Sequence, residues 1–402
     1  MTGEAAGVAG ARAGERAELG LEVAGLRLLL RFAPAHAALA AEVRALWAGL
    51  VVEGENARPF EMLHVDAEPG PGEGSPAVTI RPGPSAAYEL SGQITRRVIT
   101  HLLGTRLLLH AGVVDHEALG VVLLVGPSGA GKSTAVSVLG QDGRYLTDEL
   151  AILHPEGLTV APYPKPVSRV RGGREDRVKR DVAPADLGLV PATATAGPPA
   201  HVVLLERERG PVDGTSVGEG LEARASAEGG TDAAEGVERA GLGEALVRIA
   251  EQSSSLWTVP GGLARLATLL ELCGGALRVR YREAERLEPL LAQRPPATAE
   301  EWEVLVPGAR RERALESVEA VEAIGLADGV VILSHGRVML LPGLAALVWE
   351  ELWIAGGMER EELEAAVVAA IGPHPRSAAL IDEVLADLVR TGWVRERRPR
   401  PA

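Results

Sequence analysis

The sequence predicts an α/β protein with more than one domain, and three observations support this. Apolar strand-like runs alternate with amphipathic helical runs over the first three hundred residues. A glycine-rich loop lies between one apolar run and the helix that follows it. The last hundred residues contain short strands and turns and then three helical segments, which is typical of a small separate domain. A chain of 402 residues, 46% of them hydrophobic, is long enough for two or three domains.

Five segments follow from composition and periodicity. The small polar residues at the start predict disorder, and the Gly, Ala, Glu and Ser content around residue 220 predicts a flexible insertion. A Pro-Pro pair near residue 295 indicates a linker. The predicted boundaries are 1–20 for the disordered start, 21–100 for an N-terminal α/β region, 101–293 for the central domain with the insertion at 207–241, 294–314 for the linker, and 315–398 for the C-terminal domain.

The C-terminal segment alternates short strands with hairpin turns. The turn signals are Asp328-Gly329 and His335-Gly336. They separate three predicted strands at 321–324, 330–333 and 338–341. Three helices are predicted to follow, at 344–353, 359–371 and 377–391.

Charge and composition exclude several classes of protein. The formal net charge of -14 argues against a general nucleic-acid binder, which needs a basic face. One cysteine, Cys273, excludes a disulfide framework and a multi-cysteine zinc site. Because no run of about 18 apolar residues occurs, no membrane span is expected. The N-terminus lacks the apolar core of a signal peptide, so we expect a cytoplasmic protein.

Residues 126–133 read Gly-Pro-Ser-Gly-Ala-Gly-Lys-Ser and match the pattern G-x-x-x-x-G-K-[ST]. In this pattern the backbone N–H groups point at phosphates, the lysine reaches the β- and γ-phosphates, and the serine hydroxyl contacts Mg²⁺. Only three lysines occur in the chain, so Lys132 stands out from a background of arginine. The pattern predicts ATP and Mg²⁺ bound by Gly126, Ser128, Gly129, Ala130, Gly131, Lys132, Ser133 and Thr134.

Two acidic residues follow the next predicted strand. Since parallel neighbouring strands end on the same edge of a sheet, Asp148 and Glu149 would face the γ-phosphate. One would hold Mg²⁺ and the other would accept a proton from an attacking hydroxyl. His110 lies late in a predicted apolar strand at 106–114 and would either approach the phosphates or serve as a structural histidine.

A basic cluster follows the acidic pair. Lys165 is fixed between two prolines, and several arginines come shortly after it. The cluster would either clamp phosphates and attract an acidic substrate or form a solvated loop. Its members are Arg169, Arg171, Arg174, Arg177, Lys179 and Arg180, and Lys165 is a separate candidate for substrate contact.

Four stretches together, LLLHAGVVD, VVLLVGPSGAGKST, GRYLTDELAIL and PYPKPVSRVR, resemble the HPr kinase/phosphorylase family, most closely its shortened relatives associated with ribosomally made peptides. The resemblance covers residues 100–180 well and implies a P-loop kinase fold. It implies that Asp148 is the general base, assisted by His110, and that Glu149 is a metal-side carboxylate where the family usually has Asp. The kinases of that family are hexameric, which leaves room for a homo-oligomer here.

Residues 315–398 resemble PqqD-like peptide-recognition domains, through GVVILSHGRVMLLPGLAALVWEEL, EELEAAVVAAIG and IDEVLADLVRTGWV. That resemblance implies a winged-helix-like domain of three strands and three helices. It would bind the leader of a precursor peptide as an added strand. The receiving edge would be the strand that carries Val338 and Leu340, beside the helix that starts at Ser377.

Three functions fit these features. The first is a kinase that phosphorylates a Ser or Thr hydroxyl of a precursor peptide tethered through its leader. The second is an adaptor that binds ATP and the peptide without phosphotransfer. The third is a small-molecule kinase, which would leave the C-terminal domain without a role.

Overall fold

The protein is a mixed α/β structure, described here from a computed structural model for residues 17–52, 61–66, 77–171, 178–208, 235–311 and 313–397. The described residues form nine α-helices and several sheets. Within those residues, no helix has the length and apolar character needed to cross a membrane. The predicted disordered segment 1–20 extends too far, because the first strand already begins at Ala17. Residues 1–16 and 209–234 lie outside the described residues.

The N-terminal region is a four-stranded sheet covered by two helices. Alternating apolar residues on the first two strands bury one face of their hairpin, and this face packs against the helices. The sheet order is that of the chain, and the third and fourth strands add in parallel. The elements are β1 (Ala17–Val23), β2 (Leu26–Phe32), α1 (Ala37–Leu46), β3 (Glu61–Val65), β4 (Ala77–Val78) and α2 (Ala86–Leu102).

The central region is built on Val- and Leu-rich strands that are buried on both faces of a six-stranded sheet. Smaller sheets and four helices surround it. The elements are β5 (Leu107–Leu109), β6 (Ala111–His116), β7 (Gly120–Val125), α3 (Lys132–Leu139), β8 (Gly143–Thr147), β9 (Ala151–Leu153), β10 (Val160–Ala161), β11 (Val167–Arg171), β12 (Val178–Val182), β13 (His201–Arg207), β14 (Gly236–Arg239), α4 (Leu242–Ala250), α5 (Gly262–Leu272), β15 (Leu277–Tyr281) and α6 (Leu287–Ala292).

The strand order of the large sheet is β14-β15-β13-β7-β6-β8. β13 is parallel to β7 and β15, whereas β6 is antiparallel to both β7 and β8. The strands β7, β8, β13 and β15 therefore end on one edge of the sheet, where β6 begins. β7 and β8 end on the same edge of the sheet, as expected, but they are not direct neighbours, because β6 lies between them.

The single strand predicted at 106–114 is broken at His110. β5 belongs to a small sheet with β9 and β10, whereas β6 belongs to the large sheet. At the break the His110 backbone N–H donates to the carbonyl oxygen of Gln252 at 2.7 Å. The segment that follows α4 thus holds His110 at the edge of the large sheet where β7 and β8 end.

The C-terminal region contains a four-stranded antiparallel meander, a two-stranded sheet and three helices. One face of the meander packs against α4 and α5, and the other packs under its own helices. The elements are β16 (Trp302–Val304), β17 (Leu315–Ser317), β18 (Glu322–Leu326), β19 (Gly329–Ser334), β20 (Arg337–Pro342), α7 (Gly343–Ala355), α8 (Arg360–Ile371), α9 (Ser377–Thr391) and β21 (Val394–Glu396).

Two sequence expectations change here. The predicted linker 294–314 contains β16, which pairs with β18 and closes that side of the meander. The C-terminal region also has a core of its own on only one face of the meander. On the other face, Ile324, Val331 and Leu333 belong to the apolar cluster of α4 and α5. The strand β16 was missed because a three-residue strand beside prolines and acidic residues gives no periodic signal.

Glu322 fixes the meander on the central region. Its carboxylate accepts hydrogen bonds from the backbone N–H groups of Leu263 and Ala264, at 2.8 and 2.9 Å, at the start of α5. We expect Glu322→Ala to lower the free energy of unfolding by about 1 kcal/mol, because two helix N–H groups lose their acceptor and the helix dipole loses a counter-charge. Urea unfolding of the wild type and of Glu322→Ala measures this loss of stability. Glu319→Ala, at an exposed position, should change stability much less.

Candidate nucleotide and phosphotransfer site

The predicted site residues converge on one edge of the large sheet. The glycine-rich loop follows β7, the acidic pair follows β8, and His110 precedes β6. One cleft of about 500 Å³ is lined by His110, Asp148, Glu149 and the loop and helix residues Ser128, Gly129, Gly131, Lys132, Ser133 and Thr134, whereas Gly126 and Ala130 do not line it. The sequence therefore identified residues that the fold brings together from three separate strands.

The loop at 126–131 turns sharply between β7 and α3 through two glycines with positive φ. Gly129 and Gly131 have φ angles of 85° and 89°, in the left-handed region that favours glycine. α3 begins directly after the loop, so its first N–H groups point toward the cleft. The Lys132 ammonium donates to the carbonyl oxygens of Gly126 and Pro127, at 2.6 and 3.2 Å. Phosphate oxygens bound in the loop would compete for the same ammonium.

Tyr281, which sequence reasoning missed, fixes the back of the loop. Its hydroxyl donates to the Ala130 carbonyl oxygen at 2.7 Å. A Cβ at Gly131 would lie only 2.6 Å from that hydroxyl oxygen, so the glycine is required by space as well as by φ. Tyr281 ends β15, about 150 residues after the loop, and carries no motif that could reveal it.

Tyr281→Phe is expected to weaken ATP binding about fivefold, which corresponds to roughly 1 kcal/mol for the lost hydrogen bond. The physical reason is that the Ala130 carbonyl is released and the loop is less well ordered before binding. Isothermal titration with ATP measures the change. Tyr163→Phe is the matched control, since it removes an equally buried hydroxyl that bonds Thr95 instead. An equal effect of both substitutions on ATP binding would refute this role of Tyr281.

Asp148 is buried and contacts the loop helix directly. The Ser133 hydroxyl donates to Asp148 Oδ2 at 2.8 Å, and the Tyr145 hydroxyl donates to Oδ1 at 3.1 Å. The backbone N–H of Ser168 lies 3.4 Å from Oδ2. Asp148 is thus held in one position beside the serine that the loop motif assigns to a metal ion.

Lys165 forms ion pairs with both carboxylates. Its Nζ lies 3.2 Å from Asp148 Oδ1 and 3.0 Å from Glu149 Oε2, and its side chain is 1% exposed. Burial alone would lower the pKa of Lys165, but the two carboxylates outweigh burial and raise that pKa above its ordinary value. Lys165 is therefore a permanent cation that keeps both acidic groups paired.

Two further groups of the cleft, Lys132 and His110, have lowered pKa values. Burial lowers the pKa of Lys132, opposed by Glu149 and Asp148. Burial and then the Lys132 charge lower the pKa of His110, opposed by the same carboxylates. His110 is consequently neutral at pH 7 and able to accept a hydrogen bond or a proton.

Some of the basic cluster reaches the cleft. Arg169 and Lys179 line it, and Lys179 Nζ lies 3.2 Å from the hydroxyl of Tyr88 on α2. Arg207, at the end of β13, was missed by the sequence but also lines the cleft. Arg180 does not line it. The side chain of Arg171 and the whole of Arg174 and Arg177 lie outside the described residues.

Val338 and Leu340 lie far along the chain from this cleft, on the outer strand of the meander. Their half-buried side chains pack on the apolar cluster of α4 and α5, and Leu340 contacts α4 at Gly243. Among the described residues, no strand pairs with β20 on the side away from β19. The predicted receiving strand therefore has an open backbone edge, while its inward side chains serve packing.

Comparison with protein-family models and with curated proteins gives no match to this chain.

Proposed function

We propose that this chain is a Mg²⁺-ATP-dependent kinase with an HPr-kinase-like central fold and a PqqD-like C-terminal domain. It would phosphorylate a Ser or Thr hydroxyl of a ribosomally made precursor peptide. One observation carries the kinase assignment: the 2.8 Å contact between Ser133 and Asp148 at the mouth of the glycine-rich loop. A hydroxyl at the start of a phosphate-loop helix and a nearby carboxylate are the oxygen ligands that nucleotide-bound Mg²⁺ takes.

The chain's own groups account for ATP binding. Loop N–H groups and Lys132 would hold the phosphates, and Ser133 with Asp148 would hold Mg²⁺. The ion, when bound, neutralises charge on the β- and γ-phosphates. Arg207 and Arg169 add positive charge on the walls of the same cleft.

The contacts favour an exchange of the two carboxylate roles implied by the family resemblance. Asp148 is buried and engaged by several donors, which suits a metal-side group. Glu149 is 38% exposed at its side chain and faces the open cleft, which suits the general base. In the step we propose, Glu149 takes the proton of the acceptor hydroxyl. The hydroxyl oxygen bonds the γ-phosphorus, and the bond from γ-phosphorus to the β–γ bridging oxygen breaks to release ADP.

The open edge of β20 supports capture of a leader peptide. An extended segment can add there by backbone hydrogen bonds, next to α4 and the end of α9. Arg337 at the start of β20 donates to the Thr391 carbonyl and stacks over Trp393, which closes that end of the edge. Tethering raises the local concentration of the acceptor segment to roughly millimolar.

Phosphotransfer to a peptide tests the proposal. The protein, ATP and Mg²⁺ are mixed with each short peptide encoded next to its gene, with and without the N-terminal half of the peptide, and products are weighed by mass spectrometry. We expect a gain of one phosphate that Lys132→Ala abolishes and removal of that half weakens. Tight binding of ATP and peptide without any gain would refute the kinase and leave the adaptor.

A further inference from the structure

A second polar pocket opens next to the nucleotide cleft. It has a volume of about 320 Å³ and lies between α2 and the segment after β4, both from the N-terminal region. Tyr88, Glu149 and Ser168 line this pocket and the nucleotide cleft together. Glu149 therefore stands at the boundary between the two spaces.

Gly92 marks one wall of this pocket. It lies inside the 17-residue helix α2, where glycine is the weakest helix former apart from proline. A Cβ placed on Gly92 would meet nothing within 4 Å, so no packing inside the protein requires the glycine. A glycine that weakens a helix without a packing reason fits a ligand whose backbone approaches the helix closely.

The groups around Gly92 are suited to an extended polypeptide. Gln93 and Arg96 follow on the same helix and offer amide and guanidinium donors to carbonyl oxygens. Thr79 and Ile80 line the opposite wall and directly follow β4, the edge strand of the N-terminal sheet. Hydroxyl, amide and sheet-edge backbone groups together are the means by which proteins hold extended chains.

We propose that this pocket holds the acceptor segment of a polypeptide, with its Ser or Thr hydroxyl directed at Glu149. The inference rests on the proposed kinase function and adds a site to it. It gives the N-terminal region a role, because α2 supplies both Tyr88 at the boundary and Gly92 at the wall. The leader edge at β20 and this pocket would then bind two different parts of one peptide.

Lys165 lies at the base of the same pocket and pairs with Glu149. That ion pair holds the Glu149 carboxylate at the opening between the spaces. Glu149, with Tyr88 and Ser168, thus lies between an acceptor hydroxyl in the pocket and the nucleotide cleft. Proton removal by Glu149 and attack on the γ-phosphorus then follow as described above.

The test uses full-length protein and three substitutions in α2. Gly92→Leu fills the pocket wall, Gly92→Ala adds one methyl group, and Thr100→Leu places the same leucine side chain at an exposed position of the helix outside the pocket. The probe is an equimolar library of synthetic hexapeptides with a central serine, with Mg²⁺ and a non-hydrolysable ATP analogue. Retained peptides are quantified by mass spectrometry, and the same library is then offered with ATP.

We expect Gly92→Leu to lower peptide retention at least tenfold and to leave the affinity for the ATP analogue unchanged. Thr100→Leu should match the wild type, and Gly92→Ala should fall between. Equal peptide retention by the wild type and Gly92→Leu overturns the proposal, because the peptides would then bind elsewhere, for example at β20. The absence of retention by the wild type also overturns it. Phosphorylation of free glycerol or ribose in place of the peptides also overturns it. Retention that Gly92→Leu abolishes, without phosphate transfer in the wild type, keeps the pocket and refutes only the kinase.

Discussion

Lys165→Met is expected to lower the free energy of unfolding by about 3–5 kcal/mol and to abolish phosphotransfer. Methionine preserves the length of the side chain but removes the cation that lies within 3.2 Å of both site carboxylates. Asp148 would remain buried without its counter-charge, and a buried unpaired charge is far more costly than the pair was favourable. Urea unfolding and the phosphotransfer assay measure the two effects.

The direction of the Lys165 pKa shift determines the pH at which unfolding should be measured. Because the pKa of Lys165 is raised in the folded state, its stabilisation is complete below the unfolded value of about 10.4 and is lost only as the pH rises through the folded value. Unfolding at pH 7 therefore captures the whole contribution. Lys179→Met is the matched control, since it removes an exposed cation that contacts only the Tyr88 hydroxyl and ring among described groups. A loss of less than 1 kcal/mol in Lys165→Met would contradict the buried ion-pair account.

Local chemistry explains what the sequence could predict. The loop at 126–133 turns with positive φ at Gly129 and Gly131, where glycine is favoured, so the residue pattern alone located a tight turn before α3. The three helices of the C-terminal region each end at a glycine, at Gly356, Gly372 and Gly392, and lie within two residues of their predicted bounds. The position of Lys165 between prolines likewise indicated a fixed lysine, but not that it would pair with the carboxylates.

Long-range packing explains what the sequence could not predict. The insertion of β6 between β7 and β8 depends on pairing among three strands, and no local pattern encodes that order. Tyr281 and Arg207 reach the site only because β15 and β13 lie parallel to β7. The break at His110 depends on a backbone hydrogen bond to Gln252, more than 140 residues later in the chain. Each of these features appears only when distant segments meet.

Asp148→Asn and Glu149→Gln are expected to fail in different ways. Asp148→Asn removes a charge beside Ser133, so we expect Mg²⁺-dependent ATP binding to weaken at least tenfold and transfer to be lost. Glu149→Gln keeps the size of the side chain but cannot take a proton, so we expect ATP binding to persist while kcat falls about 10²–10⁴-fold. Titration with ATP in the presence and absence of Mg²⁺, together with single-turnover transfer, separates binding from chemistry.

The opposite pattern would restore the roles implied by the family resemblance, with Asp148 as the base and Glu149 at the metal. Glu319→Gln serves as a charge control, because it removes an exposed carboxylate outside the residues that line the cleft. The distinction has a structural basis around Lys165, which contacts both carboxylates. Asp148 is 1% exposed and lines the nucleotide cleft but not the second pocket, whereas Glu149 is 38% exposed and lines both. A base must reach the substrate, whereas a metal-side carboxylate must be fixed beside Ser133. Asp148 and Glu149, adjacent in sequence, meet these two requirements separately because β8 ends between a buried helix contact and an open pocket.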